Sequence, residues 1–211
     1  MEEVGLLKMD FRGLRNLSVI QDTLAMIKEN TGDDIDLEEI PLDDRETFEL
    51  FCRGDTAGIF QFNSSWLFDY LRRLRPSAVE DLIAMNALCR PGPLYGGVVD
   101  DYIDRKHGRK EVTYLHPVLE TSLKETYGLI VYQEQAMQIA RDMAGYTLGR
   151  ADILRKAMGK KSAEVMAAEK RDFTDGSVSN GISEKIAVEI FDLIEYFAGY
   201  AFNKSHSAAY G

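Results

Sequence analysis

Leu14-Arg15-Asn16-Leu17-Ser18-Val19-Ile20-Gln21-Asp22-Thr23-Leu24-Ala25-Met26-Ile27 carries the pattern that sets the fold class. Apolar residues recur at Leu14, Leu17, Leu24 and Ile27, with Val19 and Ile20 between them, which is the spacing of a helical face. Asn30 and Gly32 then supply a helix stop. Upstream, Val4 to Phe11 reads as a short strand, with Leu7, Met9 and Phe11 on one face and Leu6, Lys8 and Asp10 on the other. Lys8 and Asp10 thus share a face, about 7 Å apart along it. Downstream, an acidic connection from Asp33 to Glu39 closes at Ile40-Pro41. Helices are then expected at about 44–53, 63–75, 78–89 and 95–107. Gly58 to Phe62 reads as extended, and Arg90-Pro91-Gly92-Pro93 as a break between two helices. Tyr127 to Tyr132 is a brief β-rich segment. Helices at about 133–144, 147–158, 162–179 and 183–197 follow, punctuated by Gly149, Gly159, Gly176 and Gly181. Ser205 reads as the cap of one further helix, opening as the chain stops. The expected fold is mainly α, a multi-helix domain with one or two short β-strands. The first strand would belong to a mostly missing neighbour, and the chain reads as a piece of a larger protein.

The composition sets bounds. The chain has 211 residues, 45% of them hydrophobic and 28% charged, enough for a real core. Its longest charge-free apolar runs, such as Leu82 to Cys89, are far too short to span a bilayer. The N-terminus has no basic stretch leading into an apolar one, so no secretion signal is expected. Cys52 and Cys89 form no metal or disulfide pattern and read as free thiols of a reducing cytosol. The net charge of -10 argues against a polyanion partner, but its distribution does not. Residues 1–60 carry 6 basic and 15 acidic side chains, while residues 61–211 are close to balance. Between Arg141 and Lys161 stand Arg141, Arg150, Arg155, Lys156, Lys160 and Lys161 against only Asp142 and Asp152. A patch of that size suits a triphosphate or a short backbone contact better than a wrapped duplex.

Three groups could carry chemistry. An ionised Asp10 at a strand end can ligate Mg2+, and Lys8 beside it can hold a phosphate, although an exposed ion pair accounts for the same residues. Arg155-Lys156-Ala157-Met158-Gly159-Lys160-Lys161-Ser162 lacks the spacing of a phosphate loop, since Leu154 and Lys161 stand where glycine and a hydroxyl residue are needed. It reads as a cationic helix end, which dipole complementarity alone would also favour. Asn203, Lys204 and His206 surround an opening helix, a good anion site. Tyr196, Tyr200, Phe202 and Tyr210 could stack on a base or simply pack as a core stripe. Asp100, Asp101 and Asp104 resemble a metal cluster, but the basic residues beside them favour an ion-paired surface. Asp34, Asp36 and Glu38 lack the turn glycine of a calcium loop, and His107 and His116 have no ligands at metal spacing.

Seven segments carry a family resemblance. They are Leu7-Lys8-Met9-Asp10-Phe11-Arg12-Gly13-Leu14, Ala57-Gly58-Ile59-Phe60-Gln61, Arg90-Pro91-Gly92-Pro93-Leu94, Asp104-Arg105-Lys106-His107-Gly108, Tyr132-Gln133-Glu134-Gln135, Ala157-Met158-Gly159-Lys160-Lys161 and Phe202-Asn203-Lys204-Ser205-His206-Ser207-Ala208-Ala209-Tyr210. In that order, over nearly the whole chain, they resemble the alpha subunit of bacterial DNA polymerase III, a C-family replicative polymerase. The resemblance implies a C-terminal palm strand at residues 1–15 and an incomplete fingers domain at 16–211. It implies that Asp10 is the third palm aspartate, a metal ligand, and that Lys8 reaches the incoming nucleotide's phosphates. Arg155 and Lys156, with Lys160 and Lys161, would face the triphosphate, and Asn203, Lys204 and His206 would form part of the nucleotide pocket. Two Mg2+ ions would bind only with upstream aspartates absent from this chain, so the chain alone is expected to polymerise nothing. The implied partners are primer-template DNA, deoxynucleoside triphosphates and, through regions outside this chain, a sliding clamp and clamp loader. The setting is cytoplasmic, with no membrane partner. Two rival readings are a non-catalytic helical module that binds protein or single-stranded nucleic acid, and a nucleotide-hydrolysing switch, which the failed phosphate-loop spacing disfavours.

Overall fold

A computed structural model of the chain describes Gly5 and residues 15–160, 163–198 and 200–210. These form two compact units, Met1–Leu42 and Asp43–Gly211. The expected strand at Val4 to Phe11 lies outside the described residues.

The first unit holds helix α1, Asn16–Thr31. It ends where Gly32 turns left-handed, at a φ of 81°, and its N–H bonds back to the Lys28 carbonyl at 3.1 Å. None of its residues is buried, and Leu17 is 76% exposed. A 3-10 turn at Leu37–Glu39 follows, capped by the Asp36 side chain.

Eleven further helices make up the described part of the second unit. They are α2 (Arg45–Arg53), α3 (Ser65–Leu74), α4 (Val79–Leu88), α5 (Pro91–Tyr95), α6 (Val98–Lys106), α7 (Leu119–Leu123), α8 (Gln133–Ala144), α9 (Leu148–Lys160), α10 (Ala163–Ser179), α11 (Glu184–Ala198) and α12 (Lys204–Tyr210). Asp44 starts α2 by accepting the Thr47 N–H at 2.7 Å, and these hydrogen bonds hold its carboxyl below the usual range. Phe51 of α2 meets Phe62, in the turns before α3, edge to face at 5.3 Å. Helix α4 is apolar on nearly every side and buries Leu82, Ala84, Met85, Ala87 and Leu88. Its start is fixed by Asp81, which accepts the Ser77 and Ala78 N–H groups and takes the Lys106 ammonium at 2.7 Å. Both side chains of that ion pair are under 10% exposed.

Helices α8 to α11 pack against one another. Ala136, Ile139, Ala140 and Met143 recur at three- and four-residue steps and give α8 its buried face. Phe173 of α10 meets Phe191 of α11 at 5.4 Å. Gly176 lets α10 pass close to the end of α8, since a Cβ there would lie 2.6 Å from the Ala144 carbonyl oxygen.

The helical fold class and most helix positions agree with the sequence reading. Five local expectations are corrected. Residues 58–62 are not extended but form consecutive turns, with Ile59 N–H on Thr56 O, Phe62 N–H on Ile59 O, and Gln61 at a positive φ of 68°. Arg90-Pro91-Gly92-Pro93 is not only a break, because Pro91, whose missing N–H costs nothing at a first position, opens α5. Helix α6 consequently begins at Val98 rather than near 95. The β-rich segment at 127–132 yields a single parallel bridge, Tyr132 to Phe202. Gly149, Gly159 and Gly176 lie inside helices, whereas Gly181 does terminate one. Finally, the cap of α12 is Asn203, not Ser205.

Candidate functional site

The site is best built outward from Tyr132-Gln133-Glu134-Gln135, where α8 begins. Each residue of that segment has a separate task. Tyr132 makes the bridge to Phe202, with Phe202 N–H on Val131 O at 3.1 Å and Gln133 N–H on Phe202 O at 2.9 Å. Gln135 turns inward and is 5% exposed. Its Oε1 accepts the Val131 and Tyr132 N–H groups at 2.8 and 2.9 Å. Its Nε2 donates to Ser122 O and Thr126 Oγ1 at 3.1 and 2.7 Å. Glu134 turns outward. One oxygen accepts the Asn203 Nδ2 hydrogen at 2.8 Å and the other the Lys204 backbone N–H at 3.0 Å.

The partner segment is the start of α12. Asn203 Oδ1 accepts the His206 N–H at 2.8 Å, so the first turn is held from both sides. The Lys204 ammonium donates to both oxygens of Glu125, at 2.7 and 2.8 Å, and lies 5.4 Å from the centre of the Tyr132 ring. Burial, assisted by the charges of Glu125 and Glu134, pushes the Tyr132 phenol up. Lys204, Lys124, Glu125, Glu134 and Gln138 border an open depression of about 410 Å3. Behind it, α12 is fixed to α4, where the Ser207 hydroxyl donates to Ile83 O at 2.5 Å and Asn86 Nδ2 to Ser207 O at 3.3 Å.

Two more segments reach the same place. The Arg90 guanidinium donates to Ala87 O and Tyr200 O and stands 4.3 Å from the Phe202 ring centre. Burial draws it below the usual arginine value. Gly92 leaves room for the Tyr200 ring, since a Cβ there would come within 2.3 Å of it. Phe60, from the second motif, meets Tyr210 at 5.5 Å. Tyr210 meets His206 at 4.8 Å, and His206 meets Phe202 edge to face at 5.2 Å. Three sequence-distant motifs thus converge on α12 and the residues leading into it.

The cations of α9 are placed differently. Arg155 Nε and Lys156 Nζ both reach Asp152, at 2.8 and 2.9 Å, and these hydrogen bonds hold the Asp152 carboxyl below the usual range. Helix α9 packs mainly on α8, with α10 and α11, and no described ion pair or hydrogen bond joins these cations to α12. Lys160 ends α9. Lys8, Asp10 and Lys161 lie outside the described residues. Among the described residues no group of three or more His, Cys, Asp or Glu side chains could hold a metal ion. Asp100, Asp101 and Asp104 are ion-paired, to Arg73, Lys110 and Arg109. A second cleft, about 580 Å3, lies between α6, α7 and α11; it includes Tyr196 but none of the predicted phosphate or metal contacts.

The residues that sequence reasoning passed over are Glu125, Glu134, Gln135 and Arg90. Arg90 stood inside one quoted motif, and Glu134 and Gln135 inside another. The signal that would have singled out the latter pair is alternation in polarity at a helix start, one acceptor facing inward and one outward.

Comparison with known proteins gives the family. A profile of the family described as bacterial DNA polymerase III alpha subunit finger domain matches residues 16–181. The chain belongs to that family. It is 53% identical to DNA polymerase III subunit alpha of Mycobacterium leprae over 214 residues. It is 50% identical to the subunit of Escherichia coli K12 over 219 residues, and 51% to that of Haemophilus influenzae over 220. Each match covers 100% of this chain and 18 or 19% of the relative. This finger segment therefore spans less than a fifth of the polymerase subunits it resembles. No described helix is long and apolar enough to cross a membrane.

Proposed function

We propose that the full-length protein is a DNA-directed DNA polymerase that adds deoxynucleotides to a primer 3′ end on a DNA template. In this reading residues 1–15 are the last strand of the palm and residues 16–211 belong to the fingers. The observation that carries the reading is family membership over the whole chain, at about half identity to polymerase subunits. The convergence of three distant motifs on α12 supports it, because a site assembled from separate parts of the chain is suited to hold a ligand in one geometry.

The residues take the following roles. Lys204 stands at the edge of the depression, where a triphosphate would meet it, and the exposed Asn203 precedes it. His206, exposed between Phe202 and Tyr210, offers a ring edge and a hydrogen-bonding nitrogen to the nucleotide. Arg155 and Lys156, released from Asp152, neutralise charge on the phosphates as mobile cations, and Lys160 and Lys161 add to that charge. Lys8 is a further phosphate contact. Asp10 is the chain's single contribution to the metal site. Mg2+ held there with aspartates from outside this chain would stabilise the attacking and leaving oxygens. The described residues themselves bind and orient the nucleotide, and among them no group of three or more His, Cys, Asp or Glu side chains could hold a metal ion. Primer-template DNA and deoxynucleoside triphosphates are the substrates. A sliding clamp and clamp loader would attach through other parts of the subunit, in the cytoplasm.

The test is primer extension by the full-length protein, native and Asp10→Asn, with Mg2+ and all four deoxynucleotides. The variant is expected to bind primer-template normally and to lose extension by several orders of magnitude. Normal extension would remove Asp10 from the mechanism. The 211-residue chain alone is expected to extend nothing, and activity from it would refute that assignment.

A further inference from the structure

We infer that Glu134 is a positioning residue for the nucleotide pocket, setting the start of α12 so that Asn203, Lys204 and His206 are presented together. The inference rests on the nucleotide-pocket reading of those three residues. It goes beyond that reading by assigning the pocket's geometry to a carboxylate 70 residues earlier in the chain.

The geometry is specific. Glu134 spans two adjacent residues of the α12 start, taking a side-chain hydrogen from Asn203 and a backbone hydrogen from Lys204. With Asn203 so held, its own oxygen faces the His206 N–H. The carboxylate therefore fixes one pocket residue directly, the second through its backbone and the third through Asn203. Glu134 is itself held. It lies in the first turn of α8, where a negative charge suits that helix dipole, and Gln135 ties the same turn to Val131 and Tyr132. One carboxylate thus serves two helix starts, and the rigid one orients the other.

Charge explains why the role is geometric. A carboxylate beside a triphosphate pocket repels the ligand, so direct binding would be stronger without it. It also occupies the Lys204 N–H, a donor that a phosphate would otherwise take, while Asn203 occupies that of His206. The phosphates must then meet side chains rather than the helix start. Glu125 complements this by holding the Lys204 ammonium at the rim until a stronger anion arrives.

The experiment uses the full-length polymerase on primer-template, measuring single-nucleotide incorporation against deoxynucleotide concentration. Burst amplitude counts the active molecules, so loss of folded protein does not enter KM or kcat. Glu134→Ala is expected to raise KM for the nucleotide tenfold or more, with kcat changed less than threefold and primer-template affinity unchanged. Glu134→Gln keeps one acceptor and should fall between. Asn203→Ala combined with Glu134→Ala should raise KM by less than the product of the two single effects, because the two share one chain of contacts. If Lys204→Ala raises KM while Glu134→Ala leaves it within twofold of native, the positioning role is wrong and the pocket reading stands. If Lys204→Ala also leaves KM unchanged, the pocket reading fails and the inference fails with it.

Discussion

Replacing Gln135 by leucine removes four hydrogen bonds from the interior while nearly preserving side-chain volume. The consequence can be worked from the partners. Val131 and Tyr132 are buried, and their N–H groups lose the acceptor that holds them at 2.8 and 2.9 Å. A buried donor left unpaired costs roughly 1–3 kcal/mol, so the two together cost about 4 kcal/mol. Ser122 O loses a donor, but Thr126 Oγ1 keeps its own bond to Leu129 O at 2.6 Å and suffers less. For a chain of this size about 4 kcal/mol corresponds to a fall in Tm of roughly 8–16 °C. Urea unfolding of the 211-residue chain, followed by circular dichroism, measures the change at constant m. The control is Gln138→Leu, one turn further along α8, whose bonds go to Asp142 and Arg141 near the surface. It should cost less than about 1 kcal/mol. A Gln135→Leu loss below about 1 kcal/mol, or equal losses for the two variants, would refute the claim that this glutamine organises the α8 start.

Other expectations follow from the same reasoning. Lys106→Met leaves Asp81 buried with only two backbone N–H groups and the Ser77 hydroxyl as partners and should cost about 3 kcal/mol, read by the same unfolding assay; a neutral effect would show that water reaches the pair. Gly176→Ala should destabilise, because the new Cβ meets the Ala144 carbonyl at 2.6 Å and the overpacking of roughly 1–3 kcal/mol exceeds the helix-propensity gain of about 1 kcal/mol; net stabilisation would contradict the close crossing of α8 and α10. Asp152 should titrate below 3.8, since hydrogen bonds from Lys156 and Arg155 favour its charged form. Its contribution to stability is then present above the unfolded value and lost as pH falls through the depressed one. A carbon-13 titration with a midpoint at or above 3.8 would contradict the pairing.

Much of the helical layout was legible because long amphipathic segments announce themselves. The stretches read as 133–144, 162–179 and 183–197 lie within a residue or so of α8, α10 and α11. The errors fall where short-range chemistry decides. Proline reads as a break, yet at a first helical position it starts α5. Serine and asparagine both cap helices, and only the reach of Asn203 to His206 shows which does so here. The apolar face of Leu14 to Ile27 forms the expected helix but buries none of its described residues, a reminder that periodicity reports a face and not what covers it. At the site, Asn203, Lys204 and His206 could be singled out by residue type alone. Glu125, Glu134 and Arg90 could not, because their meaning lies in partners that are 79, 70 and 110 residues away.

The bridge between Tyr132 and Phe202 has a topological consequence. The chain leaves this point at the start of α8, travels through α9, α10 and α11, and returns to it before entering α12. Four helices therefore form one closed loop with a non-covalent neck. Closing a loop of about 70 residues costs roughly 4 kcal/mol of chain entropy, which the neck's hydrogen bonds must offset. Entry and exit leave from adjacent backbone, so the four-helix loop is tied to α12 at one point. The neck acts as a clasp, and Glu134, Lys204 and Phe202 sit on it.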